Sequence, residues 1–389
     1  MKIAILGAGV AGISSAIALK LKGFDVEIYE RHTAESNIGA GIVIWPNAAF
    51  VLDQLGMLDE IKRVSGCPKE MKRFSSDGDS LGFIDIKAIN RLMGYSSYSI
   101  LRTDLHAILI DRLRSLGINI CYDHQVVRIT EQGLQNVVHF NNGRQLTADA
   151  LIGADGRMAS QARRCIAGDN QPKYQCFINW IGILKSSKPL FSEIAVRDYW
   201  GIGERFGIVP INQNCCYWAG GAQSSNIDVK QPEQYKTELK RIFSGWPDPI
   251  EQIIEQTLLE KINKIYVHDH DQTSVWHRGN FIMIGDAAHA ALPTSGQGAC
   301  QALEDAWHLG NCFAENSINI DRAYSEFTNI RLAKTGGITN AGRGLATSLF
   351  NRDENFCKVR NENSKKADPL ATATAMANGW SHGLPLAHL

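Results

Sequence analysis

Apolar and polar positions follow several rhythms along the 389 residues. Residues 2–6 (Lys-Ile-Ala-Ile-Leu) are a short apolar run ended by Gly7, the pattern of a buried strand. Residues 10–22 carry helical periodicity until Gly23 stops them, and residues 24–29 return to strand character. The segment from Gly39 through Gly41 to Pro46 reads as a glycine-bearing loop, followed by an apolar-periodic helix over 48–58. Residues 69–98 predict strands joined at a Ser-Asp-Gly turn, and 103–116 predict a helix capped by Thr103 or Asp104. Short strands follow at 118–122, 125–130, 137–140 and 145–148, with Asn141-Asn142-Gly143 as a hairpin turn. A buried strand from Ala150 ends at Asp155-Gly156.

Beyond residue 173 the rhythm changes to alternation. Segments at 176–185, 194–200 and 216–222 predict antiparallel strands, interrupted by a helix over 232–243 and another opened by Pro249. A second glycine-rich segment starts near Asn280 and runs into a helix over 298–314. Residues 321–349 are helical, with glycines at 336, 337, 342 and 344 expected to weaken the middle. Residues 351–366 are polar, and the Ala/Thr-rich stretch from Leu370 lacks clear periodicity.

The opening strand, helix and strand form a βαβ unit around Gly7-Ala-Gly9-Val-Ala-Gly12. In such a unit the first glycine makes the tight turn, the second admits a pyrophosphate to the backbone, and the third lets helix and strand pack closely. The helix start offers N–H groups and the positive end of its dipole to phosphate. Glu30, at the end of the second strand, can accept hydrogen bonds from a ribose diol. This segment therefore predicts dinucleotide binding. The second segment, Gly285-Asp286-Ala-Ala-His289 with Pro293, Gly296-Gln297-Gly298-Ala299 behind it, returns an acid and a helix start to the same ligand.

Charge and composition narrow the class. Lys+Arg and Asp+Glu are 40 each, so no basic field points to nucleic acid and no acidic tract to disorder. Nine cysteines occur without CxxC or Cys/His spacing, which fits thiols in a reducing compartment and predicts no metal. No apolar run approaches the roughly 18 residues that cross a bilayer, and no leader pattern precedes the first strand. A cytoplasmic chain without a membrane span is the expectation. His268, His270 and His277 around Asp269 and Asp271 read as charged strand-end residues, and His289 as structural.

Three stations, Gly7 to Gly12 with Glu30-Arg31, Ala154-Asp155-Gly156, and Gly285 to His289 with its Pro293 loop, resemble the single-component FAD-dependent aromatic hydroxylases. Para-hydroxybenzoate and salicylate hydroxylases typify that family. The resemblance implies an α/β chain whose Rossmann-type FAD-binding domain (1–68, 99–172 and 276–349) is interleaved with a mostly antiparallel substrate sheet (69–98 and 173–275). C-terminal helices complete that domain, and residues 350–389 form a tail. By motif position, Gly7, Gly9, Ala11 and Gly12 would face the pyrophosphate and Glu30 the adenosine ribose, with Arg31 beside them. Arg102 would contact the cofactor, Val126 would meet adenine through its backbone, and Asp155 would belong to the cofactor site. Asp286 would bond the flavin's linker hydroxyls, Pro293 would wall the oxygen site, and Gly296, Gly298 and Ala299 would turn N–H groups to the ring.

The implied activity is monooxygenation of an aromatic or electron-rich cyclic small molecule by O2 through a flavin C4a-hydroperoxide, with NADH or NADPH as a transient donor. The rivals are an epoxidase or antibiotic- or pigment-modifying oxygenase on this fold, and a flavin-binding regulator without turnover. Monomer and homodimer both remain open. Two departures stand out: Ser160 and Arg163 each lie one place beyond the family positions, implying a one-residue shift, and Val43 stands where some relatives carry a proton-moving His. No catalytic base is identified. Val43, Trp45, Phe206 and Tyr217 are the expected substrate-lining residues, with Tyr217 and Trp218 on opposite faces by alternation. The 39–46 loop is expected to move during reduction.

Overall fold

The computed structural model describes residues 1–34, 40–132, 135–228, 231–316 and 318–386. Two sheets organise them. The first has six strands in the order His277–Arg278, Phe281–Met283, Ala150–Gly153, Lys2–Leu6, Asp25–Tyr29, Ile120–Cys121. All neighbours are parallel except the outermost pair, His277–Arg278 with Phe281–Met283. Lys2–Leu6 sits at its centre, with Ile5 opposite Ile28 on one side and Ile152 on the other. Near-continuous apolar runs are what a parallel sheet covered on both faces requires. The Val10–Leu21 helix crosses from the first strand to the second and packs on the Gly298–Glu315 helix. There a Cβ on Gly310 would come within 3.2 Å of the Ala18 Cβ, so glycine sets the approach of the two helices.

The second sheet has seven strands: Ile262–Asp269, Lys173–Lys185, Cys215–Gln223, Glu204–Asn212, Val196–Trp200, Glu70–Ser75 and Ser80–Asp85. Only Val196–Trp200 with Glu70–Ser75 is parallel. Alternation gives this sheet two unlike faces. Trp180, Phe206, Ile208 and Trp218 fill one face, buried against Leu239, Phe243, Ile250, Ile253 and Ile254 of the Tyr235–Ile242 and Ile250–Gln256 helices and their flanks. The opposite face carries Asp198, Arg205, Gly207, Tyr217 and Ala219, and on it Tyr217 packs against Gly41 of a separate two-stranded sheet, Gly41–Ile44 with Tyr98–Leu101.

Several elements differ from the sequence reading. The 41–46 part of the glycine-bearing segment is not a free loop: Gly41–Ile44 is a strand paired with Tyr98–Leu101, and Pro46 opens a helix. That pairing opposes the motion expected of it, and Gly39 lies outside the described residues. Ile320–Leu349 is one unbroken helix, because Gly336 and Gly342 sit where Cβ atoms would meet Gln272 at 2.8 Å and Ser295 at 3.1 Å. Their absent side chains admit neighbours, which offsets the weak propensity of glycine. The polar stretch forms helix Glu354–Lys366 and the stretch without clear periodicity forms helix Pro369–Ser381, each started by an aspartate whose carboxylate accepts first-turn N–H groups. Ile86–Met93 and Gln161–Ala167 are further helices the alternation did not announce.

Candidate cofactor and substrate site

The Gly7 turn is a steric necessity. Gly7 has φ +112°, and a Cβ there would stand 2.4 Å from the Ala154 carbonyl oxygen. A Cβ on Gly12 would stand 1.9 Å from the Gly7 carbonyl oxygen. A Cβ on Gly9 would meet nothing within 4 Å, so this position is small for something other than the protein's own packing. No side chain caps the helix that starts here, and its first N–H groups have no partner inside it. His106 Nε2 bonds the Ala8 carbonyl at 3.1 Å and fixes the turn from the Arg102–Ser115 helix.

Glu30 holds the same turn from the second strand. Its carboxylate accepts the Ala8 N–H at 2.7 Å and the His32 N–H at 3.0 Å, and meets His32 Nδ1 at 2.6 Å. Burial would raise its pKa, but these hydrogen bonds outweigh it and hold the group below the ordinary value. Arg31 and Arg102 are exposed, and neither guanidinium bonds a described residue. Val126 starts the Val126–Gln132 strand opposite Phe140, whose ring stacks on Tyr29 at 5.2 Å.

The second glycine-rich segment meets the first directly. A Cβ on Gly285 (φ +57°) would lie 2.7 Å from the Ala11 Cβ. Asp286 follows, half-buried, and its carboxylate accepts no hydrogen bond from a described residue. Pro293–Ser295 is a single turn, Gly296 takes φ +62°, and Gly298 opens the long helix with Ala299 in its first turn. Glycines that leave space, uncapped helix N–H groups and an unpaired carboxylate at the meeting of two strand ends suit an anionic dinucleotide with a polyol linker. FAD fits this donor and acceptor set. Asp286→Ala is expected to weaken FAD binding by about 10- to 100-fold, the loss of one or two charge-assisted hydrogen bonds of about 1.5 kcal/mol each. Fluorescence titration of cofactor-free protein measures it, and unchanged affinity would remove Asp286 from the site.

Asp155 stands beside this turn, yet its carboxylate points elsewhere. It accepts the Ser160 hydroxyl at 2.5 Å and the N–H groups of Gln161 at 2.6 Å and Ala162 at 3.1 Å. Its side chain therefore seats the start of the Gln161–Ala167 helix, which corrects its assignment as a cofactor contact. Burial raises its pKa despite those bonds. The shifted residues have found work: Ser160 caps the helix through Arg163 N–H, and Arg163 reaches the Ala287, Ala288 and Asp271 carbonyls. The one-residue shift thus ties this helix to the second glycine-rich segment.

Behind Gly296 lies a charged cluster with no access to solvent. Arg331 donates to Glu304 at 2.6 Å and Asp305 at 2.7 Å, and Lys334 pairs with Glu304 at 2.8 Å. Asp305 also accepts from Gly285 N–H at 2.8 Å and meets His289 Nε2 at 2.6 Å, which commits that histidine to structure. Asn47 donates to Gln297 at 2.9 Å and Glu304 at 2.7 Å. Burial would raise the Asp305 carboxyl, but His289 and Arg331 hold it down at about 2. Burial pushes nearby His308 to about 3, leaving it uncharged. Among the described residues no group of three or more His, Cys, Asp or Glu could hold a metal, and no helix is long and apolar enough to cross a membrane.

On the inward face of the seven-stranded sheet, Arg205 Nε donates to Asp198 at 2.6 Å, and the other Asp198 oxygen accepts Trp200 Nε1 at 2.8 Å. The terminal nitrogens of Arg205 and the Tyr217 hydroxyl make no hydrogen bond to a described residue. Between them lie Gly207 and Ala219; a Cβ on Gly207 would meet Arg205 Nη2 at 3.5 Å and little else. Arg73 shares this face, its pKa lowered by burial, with Asp198 opposing and Arg205 adding to the shift. The Arg73 guanidinium donates to Ser364 at 3.5 Å and lies over the Trp200 ring at 5.3 Å, so of the two arginines only Arg205 is hydrogen-bonded to Asp198. Burial pushes the Tyr217 phenol up to about 12 against the Arg205 charge, so it keeps its proton at neutral pH.

Phe206 does not line this space. It is 0% exposed in the opposite core, stacked on Trp218 at 5.4 Å, because the register puts it on Trp218's face and not Tyr217's. Trp45 is likewise 3% exposed, packed on Trp380 and bonded to the Gly296 carbonyl, so it supports the site from behind. Val43 is half-buried on the same strand as Gly41, two residues on and on the same face. Arg205, Asp198 and Arg73 escaped the sequence reading. Their one signal was an arginine next to an aromatic on an alternating strand.

The family profile described as FAD binding domain matches residues 1–318. Aurachin C monooxygenase/isomerase of Stigmatella aurantiaca is 31% identical over 322 residues, 81% of this chain and 81% of that protein. FAD-dependent urate hydroxylase of Mycolicibacterium vanbaalenii is 26% identical across 97% of this chain and 100% of its own length. The crystal structure of Klebsiella pneumoniae HpxO complexed with FAD and uric acid superposes with a TM-score of 0.91 at 25% identity, covering 99% of this chain and 97% of that one.

Proposed function

We propose, from the premise that the chain belongs to the FAD binding domain family, that it hydroxylates an electron-rich ring bearing an acidic group, with NADH or NADPH as donor. That it is an FAD-dependent monooxygenase of aromatic or cyclic small molecules follows from the relatives. The acidic group is the finer reading, and one observation carries it: Arg205 lies on the Tyr217 face with its Nε held by Asp198 and its terminal nitrogens bonded to no described residue. FAD, when bound, supplies the hydride acceptor and the means of activating O2.

The chain's own residues bind, orient and keep water out. Gly7 to Gly12 and the first helix would hold the pyrophosphate, Glu30 the adenosine ribose and Asp286 the linker hydroxyls. Gly298 and Ala299 would turn helix-start N–H groups to the ring, where they stabilise negative charge. Arg205, fixed through Nε by Asp198, would bind an anionic or acidic group with its free nitrogens. Tyr217, held protonated, would donate to or accept from the ring without removing a proton. Asp198 is fully paired, so the ring's own acidity must supply the electron-rich form.

A panel of matched acidic and neutral rings (hydroxybenzoates and their amides, urate-like and pyridone-like heterocycles, neutral phenols) tests this by stimulated NAD(P)H consumption and product mass. Acidic members should be turned over, and Arg205→Gln should raise their KM about 10- to 100-fold, the loss of a charged hydrogen-bond pair. Preference for the neutral partners would sink the acidic-group reading while leaving monooxygenation standing.

A further inference from the structure

Lys334 is buried in the middle of the Ile320–Leu349 helix and makes three contacts there. Its ammonium donates to the carbonyls of Trp380 at 2.6 Å and His382 at 2.8 Å, and pairs with Glu304 at 2.8 Å. A helix leaves its last carbonyls without partners, so this cation closes the end of the Pro369–Ser381 helix. The Trp380 ring, held at that end, lies 4.7 Å from the Trp45 ring. Trp45 Nε1 donates to the Gly296 carbonyl at 3.0 Å, and two residues later Asn47 holds Gln297. Gly296 and Gln297 lead directly into the helix start at Gly298.

We propose that Lys334 is a positioning residue: by fixing the end of the last helix it seats Trp380 against Trp45, and Trp45 sets the Gly296 turn at the cofactor. The proposal rests on the reading that this turn faces FAD. A purely stabilising cation would need no link to the turn. Here the contacts run unbroken from the ammonium through two indoles to one carbonyl. Glu304 binds the same ammonium and also Asn47, so the turn is held from two sides by one buried group. Lys334 also balances the cluster, since Glu304 and Asp305 face Arg331 and Lys334.

The test uses the whole chain and four variants. Trp380→Leu removes the indole pair while leaving the backbone carbonyls that Lys334 binds; Lys334→Met removes the cation; Trp380→Phe restores a ring; Leu370→Ala, on the exposed side of the last helix, is the control. Near-ultraviolet circular dichroism of cofactor-free protein reports the Trp45–Trp380 pair, and fluorescence titration reports FAD affinity. Trp380→Leu and Lys334→Met should both lose the pair's signal and weaken FAD about tenfold, with a changed visible dichroism of the bound flavin. Trp380→Phe should recover most of the affinity, and Leu370→Ala should match wild type. Wild-type FAD affinity and flavin spectrum in folded Trp380→Leu overturn the proposal. So does a Lys334→Met protein that loses thermal stability but keeps the tryptophan signal and FAD affinity. Failure of the cofactor reading is distinguishable, because it would show as no FAD binding by the wild-type chain.

Discussion

Arg331→Met is expected to lower the unfolding free energy by about 3–5 kcal/mol, the largest effect of any single substitution considered for this chain. Arg331 is 0% exposed and donates to Glu304, Asp305 and Gln301. Its removal leaves Glu304 with Lys334 and Asp305 with His289 as their remaining charged or chargeable partners, and Met fills the volume without answering the charge. The same cluster sets an acid limit. The Asp305 carboxyl titrates at about 2 in the folded protein and about 3.9 when unfolded, so its stabilisation is complete above pH 4 and fades as pH falls towards 2. Chemical denaturation at pH 7 and pH 3 checks both statements. A loss under about 1 kcal/mol at pH 7 would mean that Arg331 is not the counter-charge of this cluster.

Gly12→Ala should abolish practical FAD binding, weakening it by about 100-fold or more. The added Cβ would lie 1.9 Å from a backbone oxygen of the Gly7 turn, and no rotamer change can move a main-chain atom aside. Cofactor-free Gly12→Ala should also melt lower, because the collision exists without ligand. Gly9→Ala separates the two effects: its Cβ meets no protein atom within 4 Å, so cofactor-free stability should hold while FAD affinity falls. Equal FAD affinity in Gly9→Ala and wild type would show that the pyrophosphate does not approach there.

The cofactor half of the fold was legible because its constraints are local. Gly7, Gly9, Gly12 and Glu30 lie within a single βαβ unit, and sequence spacing alone brings them together. Gly285 and Asp286 were legible only through the family resemblance, because their meeting with Ala11 spans most of the chain. Long-range register was not legible. Whether Phe206 shares a face with Tyr217 or with Trp218 depends on how Glu204–Asn212 pairs with Cys215–Gln223, and that pairing put Arg205 where an aromatic was expected. The 320–349 helix was legible in its extent; only the weakening expected at its glycines is absent, since glycine was weighed by propensity while Gly336 and Gly342 admit Gln272 and Ser295. The last two helices carried a readable signal that hydrophobic periodicity hid, an aspartate cap at Asp353 and an Asp368-Pro369 start.

The order of the six-stranded sheet has a consequence for how the chain comes off the ribosome. Its central strand, Lys2–Leu6, pairs with Ala150–Gly153, and that strand pairs in turn with Phe281–Met283. The turn that opens the sequence touches Gly285, so its final neighbour emerges only after most of the chain has been made. At about 5–20 residues per second, translation of that interval takes on the order of tens of seconds. During that time the nascent N-terminal unit carries an open strand edge, the kind of surface that pairs with other chains. The substrate sheet faces the same delay, because Glu70–Ser75 waits for Val196–Trp200. Early products of synthesis are therefore the vulnerable ones, and slow translation before residue 285 would lengthen their exposure more than slow translation after it.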